Sequence, residues 1–391
     1  MSNVIVSFSR SPIGSFLGSL STVSAPRLGA IAIKGAIDNS NLDKSLIDQV
    51  IMGNVLSAGV GQAPARQASI YAGLSDSVDC LTINKMCGSG LQAIMLADDI
   101  IKNNPDKIIL AGGMESMSLC PHYLINSRTG VKLGDGKIID GMISDGLWDI
   151  YNDKHMGNCA EMCADKYNIS REEQDEYAIR SYRLAQEAIA TKKFTSEITP
   201  VEITSKKGVT IIDTDEEPSR VSFDKLKTLR PVFEKQGTVT AGNASTINDG
   251  AAVCLIMSSD RASALGLKPL ANIKGHCSFS QAPEWFTTSP IYSTKKLLDQ
   301  TNMEIEDIDL FEINEAFSVV ALAAIKNLNL DINKVNTYGG AVSMGHPIGA
   351  SGSRIIGTLL NSMSNENKEH GLASICIGGG EASSMLVERI S

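Results

Sequence analysis

Asp79-Cys80-Leu81-Thr82-Ile83-Asn84-Lys85-Met86-Cys87-Gly88-Ser89-Gly90-Leu91 decides the reading of this chain. Asp79–Ile83 is strand-like, the glycine-rich turn holds a cysteine, and Ala93–Ile101 continues with helical spacing. The same unit returns later. Val335–Tyr338 is strand-like, Gly345-His346-Pro347-Ile348-Gly349-Ala350-Ser351-Gly352 forms a second glycine-rich turn, and a helix runs on to Leu360. Each unit is followed by another strand that meets glycines. Lys107–Ala111 leads to Gly112-Gly113, and Leu372–Ile377 leads through Cys376 to Gly378-Gly379-Gly380. Two similar α/β halves would bring their reactive turns to one shared face.

Around these units the pattern fills in. Leu28–Ala36 reads as helix and Val50–Met52 as strand. Residues 118–248 are richer in polar residues and turns, and read as an insertion forming a lid or binding subdomain. Within it a helix starts at Ser170, with Glu173 placed for a capping box. The core pattern resumes at Asp249 with a strand over Ala251–Met257, and a boundary lies near Leu267-Lys268-Pro269. Ile308–Ile313 then reads as strand, Ala316–Lys326 as helix and Ser383–Val387 as strand. The division expected is 1–117 (first half), 118–248 (insertion), 249–267 (return to the first half) and 268–391 (second half).

The 391 residues are 43% hydrophobic and 20% charged, enough for a large core and against disorder. A net charge of −9 argues against nucleic-acid binding, which needs a basic face. The eight cysteines are scattered, without zinc-type pairs. The chain enters a strand at Val4-Ile5-Val6 without a signal layout, and no run of about 18 apolar residues would span a membrane. A cytoplasmic protein without membrane or nucleic-acid partners is expected.

Three residues in the turns carry chemistry. Cys87 precedes a helix, whose N-terminus lowers a thiol pKa and favours a nucleophile; a buried structural cysteine is an equal reading locally. His346, presented between glycine and proline, is a natural base for a thiol. Cys376 precedes three glycines whose N–H groups can converge on an oxyanion. This set suits carbon–carbon bond chemistry on a thioester. Asn314 reads locally as a helix N-cap. Arg220, Lys225, Lys227 and Arg230 form a basic cluster, a solvated face by default and a phosphate site otherwise.

Asn84–Gly90, Ala111-Gly112-Gly113-Met114-Glu115-Ser116-Met117-Ser118, Asn243–Ala252, Asn314-Glu315-Ala316-Phe317, Gly339-Gly340-Ala341 with the His346 turn, and Cys376–Gly380 stand in this order. Together they resemble the thiolase family across essentially the whole chain, and His155-Met156-Gly157 resembles its acetoacetyl-CoA branch. The resemblance implies two βαβαβαββ halves in five αβαβα layers, with an inserted CoA-binding loop domain. It implies condensation of two acetyl-CoA to acetoacetyl-CoA and CoA, and the reverse thiolysis, through an acetyl-cysteine. Cys87 would be nucleophile, His346 its base and Cys376 the α-proton base. Asn314 would hold a water beside His346 for the enolate, and the N–H groups of Cys87 and Gly378 would serve the tetrahedral intermediate.

Carried over by motif, Arg220 and Lys225 would lie near the nucleotide of CoA. Leu147, His155, Met156, Phe233, Ser245 and Phe317 would follow the pantetheine, with Tyr182 beside them. Tyr182, Ala241, Gly242, Ala244 and Val342 match positions that hold potassium in the mitochondrial type. No tightly bound cofactor is implied, and a homotetramer built as a dimer of dimers is. Two departures stand out: Phe286, where bacterial biosynthetic members often have methionine, and Glu381 after the glycine run. The alternatives are a broad-chain 3-ketoacyl-CoA thiolase and a non-catalytic CoA- or lipid-binding relative; the latter predicts loss of Cys87, His346 or Cys376.

Overall fold

The structure is a computed structural model that describes residues 2–206 and 208–390. The strands that matter are β1 (Asn3–Arg10), β2 (Gln49–Gly53), β3 (Asp79–Ile83), β4 (Ile109–Ser116), β5 (Asn248–Ser258), β6 (Ala271–Ser280), β7 (Leu310–Ile313), β8 (His370–Ile377) and β9 (Glu381–Arg389). They hydrogen-bond in the order β7-β8-β9-β6-β1-β5-β4-β2-β3. In the first half β2 runs parallel to β3 and β4, and β5 is antiparallel to β4 and β1. In the second half β7 is parallel to β8, and β9 is antiparallel to β8 and β6. The halves join where Val4 meets Asn272 and Ile5 meets Ala271.

The helices are α1 (Ala25–Ser40), α2 (Pro64–Tyr71), α3 (Ser89–Asn103), α4 (Met156–Tyr167), α5 (Arg171–Ala190), α6 (Ser289–Thr301), α7 (Ser318–Leu328) and α8 (Ser351–Glu366). Strand alternation sorts the apolar side chains into separate cores. Val50 and Met52 face α1 and α2, in a core with Leu28, Ile33 and Ala68. Ile51 points the other way, into a middle core with Leu91 and Ile94 of α3, Ile355 and Leu359 of α8, and Ile375 of β8. Phe311 and Leu372 face a third core with Leu297 of α6 and Val319 of α7. Helices, sheet, the α3/α8 pair, sheet and helices make the five αβαβα layers that the sequence resemblance implies.

The pairing of α3 with α8 positions the site. A Cβ on Gly352 would lie 2.4 Å from the Leu91 nitrogen, and one on Gly90 would lie 2.8 Å from the Ser353 nitrogen. Glycine at both crossings lets the first turns of the two helices touch backbone to backbone. The turns that precede them, with Cys87 and His346, therefore lie side by side.

Two readings of the second strand pair need correction. Gly112 and Gly113 do not end a strand; they lie inside β4, which continues to Ser116. A Cβ on Gly112 would meet the Ala252 oxygen at 2.0 Å, and one on Gly113 the Gly349 oxygen at 1.9 Å. The glycines allow close backbone approach within a sheet rather than a turn. Val335–Tyr338 is not a strand; a single parallel bridge ties Val335 to Phe311. It still occupies the position in the second half that β3 holds in the first.

The segment 118–248 carries short hairpins with α4 and α5. The Ser170 capping box forms: the Glu173 N–H donates to Ser170 Oγ at 3.1 Å and the Ser170 N–H to Glu173 Oε2 at 2.6 Å. Buried Arg10 of β1 ties this segment to the core. Its Nε donates to Glu197 at 2.6 Å, and its Nη1 and Nη2 to Asp215 at 2.7 and 2.8 Å. Removing one partner of such a buried group leaves an uncompensated charge, costing about 3–5 kcal/mol.

Candidate active site

The Cys87 loop is held by its own hydrogen bonds. The Lys85 N–H donates to Ser89 Oγ at 2.8 Å, and the Ser89 hydroxyl donates to the Met86 carbonyl at 2.6 Å. Met86 takes a φ of 47°, a left-handed conformation that costs a non-glycine residue energy and lets the chain turn sharply before the thiol. Gly88 is packed against the Cys376 loop: a Cβ there would lie 2.3 Å from Ile377 Cδ1. The two cysteine loops are thus in contact. Lys85 also forms an ion pair with Glu381, at the far end of the glycine run, so Glu381 links the same two loops.

Cys87 faces a cavity of about 260 Å³ whose wall includes His346, Gly378, Met156, Phe286 and Phe317. The backbone N–H groups of Gly378 and of Cys87 itself act to lower the pKa of the Cys87 thiol. Burial pushes the thiol up to about 11, against the pull of those two donors, and the charge of Glu115 adds to the rise. The lowered pKa expected from the helix N-terminus is therefore overturned, because desolvation outweighs the dipole. Cys376 is buried beside it and rises well above the ordinary thiol value, from burial first and the neighbouring Cys87 second.

His346 is buried and its pKa falls to about 3, from desolvation and then from the charge of Arg354. Its N–H donates to Asn248 Oδ1 at 2.9 Å, and its Nδ1 lies 2.6 Å from Ser351 Oγ. The Ser351 hydroxyl donates to the Pro347 carbonyl at 3.0 Å. Its one proton being so used, Nδ1 must be the donor to Ser351, and Nε2 carries the free lone pair. Nε2 has no protein partner. A neutral imidazole and a neutral thiol on one cavity wall make a proton-transfer pair, not a standing ion pair.

Asn314 is not a helix cap. α7 begins four residues later, and Phe317 occupies its N-cap position. Asn314 is 1% exposed, and both polar atoms of its amide lack a protein partner. Such an amide is suited to hold a water.

The rest of the cavity is apolar. Met156 opens α4, and His155 caps it, its Nδ1 accepting from the Gly157 N–H at 3.1 Å. His155 stacks on Phe233 at 4.7 Å, and Phe233 meets Phe317 edge-on at 6.2 Å. A Cβ on Gly157 would strike the Phe233 ring at 2.2 Å, so glycine permits this stack. Leu147, Ala244 and Ser245 complete the wall. Ser245, Thr246 and Ile247 also line a second, wider cavity of about 650 Å³ with Tyr182, Arg220, Lys225, Ala241 and Gly242. Val342 packs on Tyr182 in a neighbouring cluster. Of the basic cluster, Arg220 and Lys225 face this cavity, and Arg220 pairs with Glu216 at 3.2 Å. Lys227 and Arg230 are exposed and off its wall.

Several site residues have no role in the sequence reading. Glu115, Asn54, Asn248 and Ser351 frame the His346 turn. An acid inside the otherwise apolar strand Ile109–Ser116 is the one available signal, and it singles out Glu115.

Residues 3–260 match the thiolase N-terminal domain and residues 267–389 the thiolase C-terminal domain. The chain is 49% identical to "Acetyl-CoA acetyltransferase 1" of Arabidopsis thaliana, over 99% of this chain and 94% of that protein. It is 49% identical to "Acetyl-CoA acetyltransferase, mitochondrial" of Rattus norvegicus, over 99% of this chain and 91% of that one. The crystal structure of the Bacillus anthracis acetyl-CoA acetyltransferase superposes with a TM-score of 0.97 at 38% identity, covering 100% of this chain and 99% of that one. With both domain matches in register and nearly full-length likeness, this chain belongs to the thiolase family.

Proposed function

We propose that the protein is an acetyl-CoA C-acetyltransferase, joining two acetyl-CoA into acetoacetyl-CoA and CoA and running the reverse thiolysis. One observation carries this reading: Cys87, Gly378 and His346, whose Nε2 has no protein partner, line the same narrow cavity.

The protonation states dictate the order of steps. His346 Nε2 takes the Cys87 proton as sulfur attacks the acetyl carbonyl. The N–H groups of Cys87 and Gly378 receive the oxyanion, each such donor being worth about 3 kcal/mol. Cys376 is a buried neutral thiol, so it becomes a base only by giving its proton to the departing CoA thiolate. The Cys376 thiolate then removes the α-proton of the second acetyl-CoA. The enolate oxygen is met by protonated His346 and by a water on Asn314. The enolate carbon attacks the acetyl group, Cys87 leaves, and His346 returns its proton. All protons are then back in place.

CoA is expected along the two joined cavities, its pantetheine past His155, Phe233, Phe317, Leu147 and Ser245, and its phosphates by Arg220 and Lys225. Met156 and Phe286 close the acyl end of the small cavity, which favours a two-carbon unit over the long chains of the broad-range alternative. Thiolysis of 3-ketoacyl-CoA of increasing length tests this: activity is expected to fall steeply beyond four carbons, and efficient long-chain thiolysis would overturn it. The non-catalytic alternative is disfavoured by the presence of Cys87, His346 and Cys376 together.

Potassium fits the same neighbourhood chemically, since Tyr182 and the carbonyls of Ala241, Gly242, Ala244 and Val342 are hard oxygen donors. It would stiffen the wall that Ser245 shares. The proposed assembly is a homotetramer. Edge strand β3 exposes Leu81, and Ile70 and Tyr71 of α2 are exposed nearby in sequence. The 122–140 hairpin exposes Leu124, Leu133 and Ile138, a second apolar surface for a dimer of dimers. A cytoplasmic location is proposed from the free state of all eight cysteines. Among the described residues no helix is long and apolar enough to cross a membrane.

A further inference from the structure

The two halves overlay residue by residue at the site. In the first, Gly53 pairs with Gly113, Asn54 follows Gly53, and Glu115 lies two residues beyond Gly113. In the second, Ile313 pairs with Ser374, Asn314 follows Ile313, and Cys376 lies two residues beyond Ser374. Asn54 is therefore the counterpart of Asn314, and Glu115 of Cys376. Cys87 stands two residues before α3 and Gly349 two residues before α8, so they too are counterparts. The approach of Cys376 to Cys87 has its image in the approach of Glu115 to Gly349.

Glu115 is fully buried and its carboxylate accepts four hydrogen bonds. Oε2 accepts from the Gly349 N–H at 2.9 Å and the Val55 N–H at 3.0 Å, and Oε1 from Asn54 Nδ2 at 2.7 Å and the Leu56 N–H at 3.1 Å. Burial lifts its pKa to about 7, against those four hydrogen bonds. A Cβ on Gly349 would lie 2.6 Å from Oε2, so glycine is what lets the His346 turn sit on the carboxylate. Val55 and Leu56 pack with Ile348, two residues after His346 in sequence, and with Cys87.

We propose that Glu115 is a positioning residue: its carboxylate fixes the His346 turn against the Cys87 loop and so sets the geometry of proton transfer between them. The proposal rests on Cys87 as nucleophile and His346 as its base. A glutamine would keep one acceptor and aim an amide N–H at backbone donors. Misplacing a base by about 1 Å costs about 100-fold in rate.

The test is Glu115→Gln in the full chain, mixed with acetyl-CoA and followed by the rate of acetyl adduct formation on Cys87 and by steady-state kcat and KM. The expected result is a loss of about 100-fold in adduct rate and kcat with KM within about 2-fold. Alkylation of Cys87 by iodoacetamide should also shift to lower pH, because one of the groups facing the thiol (Glu115, His346 and Cys376) has lost its negative charge. An unchanged adduct rate, or a loss carried by KM, would overturn the proposal. Absence of any Cys87 adduct in the wild-type protein would overturn the functional reading and the proposal with it. Should Glu115→Gln fail to fold, Asn54→Ala removes one donor and keeps the carboxylate; about a 10-fold loss of kcat at constant KM is expected, and normal kcat would contradict the proposal.

Discussion

The two halves use one plan for two ends. In the second half, the strand-end asparagine and the residue two beyond the paired strand are Asn314, with an unpartnered amide, and Cys376, a thiol against Cys87. In the first half the same places hold Asn54 and Glu115, hydrogen-bonded to each other at 2.7 Å and to the turn of the opposite half. One copy leaves both polar atoms of its asparagine amide without a partner; the other spends its asparagine N–H on a carboxylate that accepts four hydrogen bonds, and only Asn54 Oδ1 stays unpartnered. Unsatisfied buried groups cost stability and are kept where chemistry uses them. The copy with the fully hydrogen-bonded carboxylate supplies the rigidity on which the reactive copy depends.

That contrast can be broken by mutation, and the effects should scale with proximity to the reacting atoms. Cys87→Ala removes the nucleophile and should lower turnover by about 10⁶-fold, with no acetyl adduct in the mass spectrum; an adduct of wild-type stoichiometry would refute the assignment. Asn314→Ala should cost about 10²–10³-fold in kcat for condensation, as loss of an oxyanion donor does. It should leave thermal stability unchanged or higher, since the amide it removes has no partner. A drop in melting temperature without a drop in kcat would reverse the contrast between the halves.

Gly113→Ala probes the frame alone. Its Cβ would meet the Gly349 oxygen at 1.9 Å, so the expected effect is a destabilisation of about 1–3 kcal/mol, read from urea unfolding; no change would show that the contact is slack. The smallest effect concerns pH. His346 has a folded-state pKa of about 3, below the value of about 6.5 in an unfolded chain. The unfolded chain thus binds the extra proton, and stability falls as pH drops from 6.5 towards 3 and is unaffected above 6.5. His346→Asn should flatten that acid limb in urea midpoints measured between pH 4 and 7; equal slopes would argue that the imidazole is not held neutral.

Much of this architecture was legible in the sequence. The alternation at Val50–Met52, the Ser170 capping box and the recurrence of strand, glycine turn and helix all follow from local chemistry that the fold retains. The strand through Gly112-Gly113 was not legible, because the reasons for those glycines are the carbonyls of Ala252 and Gly349, both far away in sequence. The elevated pKa of Cys87 was hidden for the same reason: a helix N-terminus is local, but the burial that overrides it comes from the Gly378 loop and the inserted segment. Asn314 looks like a cap until the helix is seen to start at Ser318. Glu115 sat in a recognisable string, yet its partners lie on two separate segments, Asn54–Leu56 and the turn at Gly349.

The central claim is a division of labour between Cys87 and Cys376, and Cys376→Ala tests it most directly. Incubated with acetyl-CoA, this variant should show one acetyl group on Cys87 by mass spectrometry while acetoacetyl-CoA formation falls by about 10⁴-fold. Condensation at the wild-type rate, or no acetyl group on Cys87, would contradict the account.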